Sequence, residues 1–348
     1  MDNTSSSNEE LAAKHPRTEE GAPDASALPE KYKELFFDDG NIILQCQDAI
    51  FRVHRSVLSV HSEVFRDMFA VGTPQDSLAE GVAVVHMPDP AEDMYHLIKM
   101  FYFANHVRNQ NTMDMRFLTG LLDISSKYMV DFVQTEIGGY LRAYFPSSLS
   151  EFQVSYESLD ATLTVSDCIR AIRAGIKHNI PEILPVAYYR CSQFPPKAIF
   201  RGYTGDAPAE GETVVTLPME ALETCILGRH QLVREKRIIM DDYIRKYLDN
   251  TYERHCSQAL MQQFVAYFVG ENKMVNGYEN DVHLFNRERV AMCMGKEELL
   301  DLICRPCQLE WIDEEDIGRG MLWRRLPSFY GLGTWAELSA HRGAGSTN

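Results

Sequence analysis

The sequence predicts an α+β domain followed by a mostly α-helical C-terminal region. Three observations carry this reading. Two short apolar runs, Ile42-Ile43-Leu44 and Ile50-Phe51-Arg52-Val53, flank the polar pair Gln47-Asp48, which is the pattern of a β-hairpin. A third run, Val82 to Met87, follows a loop from Gly72 to Gly81 that contains Thr73-Pro74. Elsewhere apolar residues recur at three- and four-residue steps, and beyond about residue 150 no strand pattern interrupts them. Strands mixed with helices, then helices alone, is an α+β order.

Each element follows from its residues. Residues 1–30 are polar, with Ser5-Ser6-Ser7 and Pro16, Pro23 and Pro29, and read as a disordered tail that cannot bury enough apolar surface to offset its ordering entropy. Lys14-His15-Pro16-Arg17 belongs to that solvated tail, being shorter than the basic runs of import signals. After the hairpin, Val57, Leu58, His61, Phe65, Met68 and Phe69 mark one amphipathic helical stretch. Asp89-Pro90-x-Glu92 opens the next helix, with Asp89 as cap, Pro90 at the first position and Glu92 closing a capping box. Met94, Leu97, Ile98, Phe101 and Tyr102 form its apolar face. Past the polar segment Asn105 to Asn111, one helix carries Met115, Leu118, Leu121, Leu122, Ser125 and Met129. Another carries Val133, Ile137, Tyr140, Leu141 and Tyr144, and Pro146 ends it. Val165, Cys168, Ile169, Ile172 and Ile176 make a further stripe, and Ile183 to Phe194 another, broken by Pro195-Pro196. Pro218 to Val233 reads as a helix and Ile238 to Phe268 as one or two more. The expected organisation is a tail over 1–30, an α+β domain over 31–146, a helical region over 147–340 and a flexible end over 341–348.

Composition narrows the function classes. The chain has 348 residues, 45% of them hydrophobic, enough for two packed domains or one large one. A net charge of -16 argues against a nucleic-acid surface, which needs clustered Lys and Arg. Eight Cys in a chain this long do not form a disulfide framework, and the start carries no apolar leader. The expectation is a reduced intracellular protein, cytoplasmic, nuclear or both. No apolar run reaches the length of about 18 residues that a membrane span requires. No internal repeat is visible, which excludes a kelch propeller.

The string F-x-V-H-R-x-V-L-S-x-H-S-x-V-F-x-x-M-F from Phe51 to Phe69 resembles the signature of BTB/POZ domains. That resemblance covers roughly the segment from 36 to 145, the extent of the α+β pattern. It implies a protein-interaction module without catalytic residues. Dimeric members often hold a basic residue at the position of Arg55, paired with an Asp early in the first strand. That position falls on Asn41 here, with Asp38 and Asp39 just before it. A homodimer is the expectation. Some members use a hydrophobic-x-Glu motif, in the loop before the third strand, to hold a cullin-type ubiquitin-ligase scaffold, and Leu78-Ala79-Glu80 matches it. Two further stretches, Ala171 to Tyr189 and Leu326 to Leu338, are similar to a large group of fungal, basidiomycete-type BTB-domain proteins. With them the resemblance spans nearly the whole chain.

Cys304-Arg305-Pro306-Cys307 places two thiols two residues apart on a turn, a spacing that chelates zinc. Cys256 is the first candidate for a third ligand, and His230, His255, His283 or Cys293 for a fourth. Ordinary reduced thiols are the default reading, and the βαβ setting of a redox pair is missing. His54 and His61 read as structural, at a strand end and on the inner side of the helix. No Ser or Cys stands in a triad pattern. Gly138-Gly139 lies inside a helical pattern and Gly331-x-Gly333 near the end, so neither makes a phosphate loop. The acidic run from Glu310 to Asp316 reads as a solvated helix face and lacks the Gly of a calcium loop. Together these predict a non-enzymatic protein–protein interaction adaptor, in its most specific form a recruiter of substrates to a cullin-type ubiquitin ligase. The protein-interaction residues would be Arg55, Leu78 and Glu80. A nuclear transcription regulator that self-assembles through the BTB domain is one alternative. An enzyme with its site in the helical half is another. No cofactor is expected beyond a structural zinc.

Overall fold

The strand β1 (Ile42–Cys46) lies at the centre of the sheet, and its run of Ile-Ile-Leu reflects burial on both faces. It pairs antiparallel with β2 (Ala49–Val53), from Ile42 opposite Val53 to Cys46 opposite Ala49. In the computed structural model described here the placed residues are 30–47, 49–72, 78–79, 81–103, 105–108, 114–159, 163–205, 207–208, 213–248, 255–257, 259–262, 285 and 304–344. Residues 1–29 of the expected first tail and 345–348 of the expected flexible end lie outside the described residues, whereas 341–344 are helical and not a flexible end. Packing divides the chain into two units, Met1–Phe103 and Ala104–Asn348.

The first unit begins with a helical turn, α1 (Glu30–Lys33), and then the hairpin. Gln47, in the hairpin connection, has φ 51, the left-handed conformation that tight turns demand. Two helices follow, α2 (Arg55–His61) and α3 (Glu63–Val71), where the periodicity predicted one. Ser62 makes the break. Its backbone is extended, at φ -142 and ψ 122, and its hydroxyl accepts from the Phe65 N–H at 3.1 Å as the N-cap of α3. These helices form the crossover that a parallel pair requires. The chain returns in β4 (Val82–Met87), parallel to β1 with Ile42 opposite Ala83 and Cys46 opposite Met87. A two-residue strand, β3 (Leu78–Ala79), pairs antiparallel with β4 at the edge, giving the order β2-β1-β4-β3.

One face of the sheet contributes Ile42, Leu44, Phe51 and Val53 to a core with Leu58, Phe65, Leu97 and Ile98, all fully buried. On the other face Ile43, Ile50 and Val84 cluster with Phe36 and Val82. Each such side chain contributes about 1.5–3 kcal/mol by leaving water. The helix α4 (Ala91–Tyr102) closes this unit, but without the expected capping box. Pro90 is its N-cap and no side chain caps it. Glu92 is engaged elsewhere, accepting from the Tyr32 hydroxyl at 3.2 Å and meeting the His96 ring nitrogen at 3.0 Å. Lys99 is buried and is satisfied by an ion pair with Glu34 and by the Phe103 ring, 4.0 Å from its Nζ.

Among its described residues the second unit holds helices and no strand. Asp114 caps α5 (Met115–Lys127), accepting from the Phe117 N–H at 2.6 Å. The helices α6 (Asp131–Tyr144) and α7 (Leu149–Leu159) follow. Thr164 and Asp167 form a capping box at the start of α8 (Val165–Lys177). Val165, Cys168, Ile169 and Ile172 are buried as expected, but Ile176 is 51% exposed, with Gly175 instead packed against Ile183 and Leu184. A 3-10 turn, Pro181–Ile183, leads into α9 (Leu184–Ser192), every residue of which is buried. Pro195-Pro196 starts α10 (Pro196–Arg201), and Gly202 ends it in the left-handed conformation, at φ 82. The helix α11 (Met219–Leu248) is continuous where two separate helices were expected. It packs on α12 (Arg305–Phe329), and α13 (Trp335–Ala344) follows. Helices α8, α10, α11 and α12 all pack on α9. Phe152, Tyr189, Phe285 and Trp323 interlock beside it with ring centroids 4.8 to 6.2 Å apart. The acidic run is helical, as expected, and lies within α12 with Asp313 exposed, while Glu314 ion-pairs with Lys246 on α11.

Candidate functional site

Two groups of residues stand out, one in each unit. In the first, the strand-to-helix corner at His54 and Arg55 is tied entirely within its own unit. The Asn41 side chain accepts from the Arg55 N–H at 2.8 Å, satisfying one of the unpaired donors at the start of α2. The Arg55 guanidinium donates to the Phe69 carbonyl in the last turn of α3 at 2.9 Å and lies 5.2 Å from the centroid of the Phe69 ring. Arg55 therefore neutralises a helix C-terminus, a favourable place for a cation. The nearby acid goes to His54 instead, whose Nε2 is 3.2 Å from the Asp39 carboxylate. The Tyr102 hydroxyl sits 3.0 Å from both the His54 backbone nitrogen and its Nδ1, and Phe37 stacks on the Tyr102 ring at 4.8 Å. Burial raises the Tyr102 phenol above its ordinary range. The His54 N–H opposes this and the Asp39 charge adds to it. His61 stacks on Phe101 at 4.9 Å. Both histidines are thus framework residues.

Leu78 lies in β3, its backbone paired with Ala83, so the segment expected as a loop is an edge strand. Its side chain, and all of Glu80, lie outside the described residues. The sequence reading did not find Asn41 as a cap or Tyr102 as the partner of His54. The bare Asn two residues after an Asp pair was the available signal.

In the second unit, Cys256, Cys304 and Cys307 converge. Their sulfur atoms lie within 4.8 Å of one another, and among the described residues no other grouping of three metal-ligating side chains occurs. The Cys304–Cys307 pair is on a helix start, not a turn. Cys304 is the N-cap of α12, Pro306 occupies its first turn, and Cys307 is buried there. The Cys304 backbone N–H donates to the Cys256 sulfur at 3.2 Å. The Cys307 backbone N–H is the main influence that holds the Cys304 thiol below its ordinary value. Burial pushes the Cys307 thiol up to about 11, against the Cys256 backbone N–H. Neither His230 nor His255 joins the cluster, and His283 and Cys293 lie outside the described residues. No disulfide joins the described cysteines.

The first unit is thus a mixed sheet wrapped by short helices, with its strand-to-helix corner held by internal ties. Residues 33–143 match the BTB/POZ domain, a protein-interaction module, and the chain carries that domain. The match holds the whole sheet and ends within α6. No curated protein matches the chain. Among the described residues no helix is long and apolar enough to cross a membrane.

Proposed function

We propose that this protein is a non-enzymatic adaptor that recruits protein partners through its BTB/POZ domain, with a cullin-type ubiquitin-ligase scaffold as the partner class its sequence fits best. The BTB/POZ match at residues 33–143 carries the interaction role. The ligase form rests on Leu78-Ala79-Glu80, and β3 presents the first two of these at the outer edge of the sheet. Self-association belongs to the same reading, with Val60 on α2 and Val71 on α3 left 79% and 89% exposed. Affinity purification of the intact protein from cells that express it, with the co-purifying proteins identified, tests the adaptor role. Cullin subunits among them support the ligase form. Light scattering that finds only the monomer across the micromolar range would remove the homodimer.

A further inference from the structure

We infer that Cys256, Cys304 and Cys307 form a structural zinc site that fastens the start of α12 to the segment at 255–257. Three thiols from two places in the chain, 48 residues apart at Cys256 and Cys304, come together. Around a tetrahedral zinc with Zn–S bonds of about 2.3 Å, sulfurs stand about 3.8 Å apart. The three here lie within 4.8 Å of one another, at most about 1 Å beyond that spacing.

Two features of the surroundings favour anionic sulfur at Cys256 and Cys304, while burial opposes it at Cys307. The backbone N–H of Cys304 points at the Cys256 sulfur, and the site stands at the N-terminus of a 25-residue helix, where the dipole favours negative charge. Amide donors to metal-bound sulfur orient the ligands and spread their charge. A Cys304–Cys307 disulfide would leave the third sulfur with no role. Three soft sulfur donors select zinc over magnesium or calcium, which take oxygen. The fourth position is left to water or a further donor. The site lies outside the BTB/POZ match, so it stands or falls separately from the adaptor role.

The test uses the full-length chain, made in zinc-replete medium and purified under reducing conditions without chelator. Elemental analysis should find about one zinc per chain, as for a single tetrahedral site. Cys256→Ser and Cys304→Ser should each lose most of it. Cobalt added to stripped wild-type protein should give the thiolate charge-transfer and tetrahedral d–d bands, a reading that does not depend on any variant folding. Wild-type protein with no zinc and no cobalt spectrum overturns the inference. So does zinc that persists undiminished in both serine variants, because the ion would then sit elsewhere.

Discussion

The Tyr330 ring stacks on that of Tyr188, with centroids 5.3 Å apart and planes 17° from parallel. The Tyr330 hydroxyl lies 3.4 Å from Ser192 Oγ. Burial is the main reason both phenols are held well above their ordinary range. This stack joins the end of α12 to α9. Helix α11 must pass beside it, and does so at Gly228, where a Cβ would fall on the Tyr330 ring.

Gly228→Ala is therefore expected to destabilise the second unit. In an exposed helix the change would gain about 1 kcal/mol of helix propensity. Here it forces the ring or the helix aside, at a cost of about 1–3 kcal/mol. Gly320→Ala on α12 is the matched control, because its Cβ meets nothing within 4 Å. Thermal unfolding should move down for the first and level or up for the second. Equal shifts would contradict the close approach at Gly228.

Arg55 and Asn41 give a second test. Asn41→Ala removes the acceptor for a helix-start donor and should cost about 0.5–2 kcal/mol. Arg55→Ala loses a charged hydrogen bond and a ring contact, together about 1–2 kcal/mol. Arg55→Lys should recover only part of this, lacking the planar fork. Urea unfolding of the full chain reads all three. No loss in either alanine variant would show that the corner is not held by these ties.

These two regions also show what a sequence exposes. The hairpin and β4 were legible because apolar runs alternate with turn residues, and burial on both faces of β1 leaves an unbroken Ile-Ile-Leu. Cys256 stood first among the donors that could join Cys304 and Cys307, and the three sulfurs do converge, but His230 and His255 offered the same chemistry in sequence and stay outside the group. Ser62 was not, since one Ser inside an amphipathic pattern fits a helix interior and a helix cap equally well until its φ is known. A strand as short as β3 has no periodicity to detect. The continuity of α11 through Val233 was hidden by the polar run Arg234-Glu235-Lys236-Arg237, which reads as a break although Glu235 pairs with Arg325 on α12 at 2.7 Å. Glu92 looked like a capping residue because its spacing from Asp89 is right, and only the positions of Tyr32 and His96 show otherwise.

A third prediction concerns pH. Asp123 on α5 faces Lys177 at 2.9 Å and the His178 ring at the end of α8. Burial works to raise its carboxyl, but the hydrogen bonds and charges of His178 and Lys177 outweigh it and hold the group below its ordinary value. A carboxyl depressed in the folded state contributes stability above its unfolded value of about 3.9 and loses it as pH falls through the lower folded value. The side chain is 48% exposed, which limits the effect to about 0–1 kcal/mol after solvent screening. Asp123→Asn should lower the melting temperature slightly at neutral pH. The gap to wild type should begin to close as pH falls past about 3.9 and should vanish below the lower folded value, where the wild-type carboxylate is also lost. A gap that persists in acid would assign the loss to packing instead.

The last prediction tests the ligase form of the adaptor role at Leu78. Its backbone belongs to β3 and pairs with Ala83, so replacing the side chain leaves the ladder hydrogen bonds in place. Leu78→Ala should therefore keep the fold, and its unfolding curve should match the wild type. If the side chain fills an apolar pocket on a cullin N-terminal domain, its burial contributes about 1.5–3 kcal/mol, and truncation weakens binding roughly ten- to a hundredfold. Glu80→Ala should cost less, about 0–1 kcal/mol, as expected for a charge at a solvated rim. Titration calorimetry with the purified cullin domain separates the outcomes. Unchanged affinity in Leu78→Ala moves the contact away from the sheet edge. Absence of binding by the unmutated protein at tens of micromolar, roughly -6 kcal/mol of binding free energy, removes the cullin scaffold as partner and leaves the BTB/POZ domain to proteins of another class.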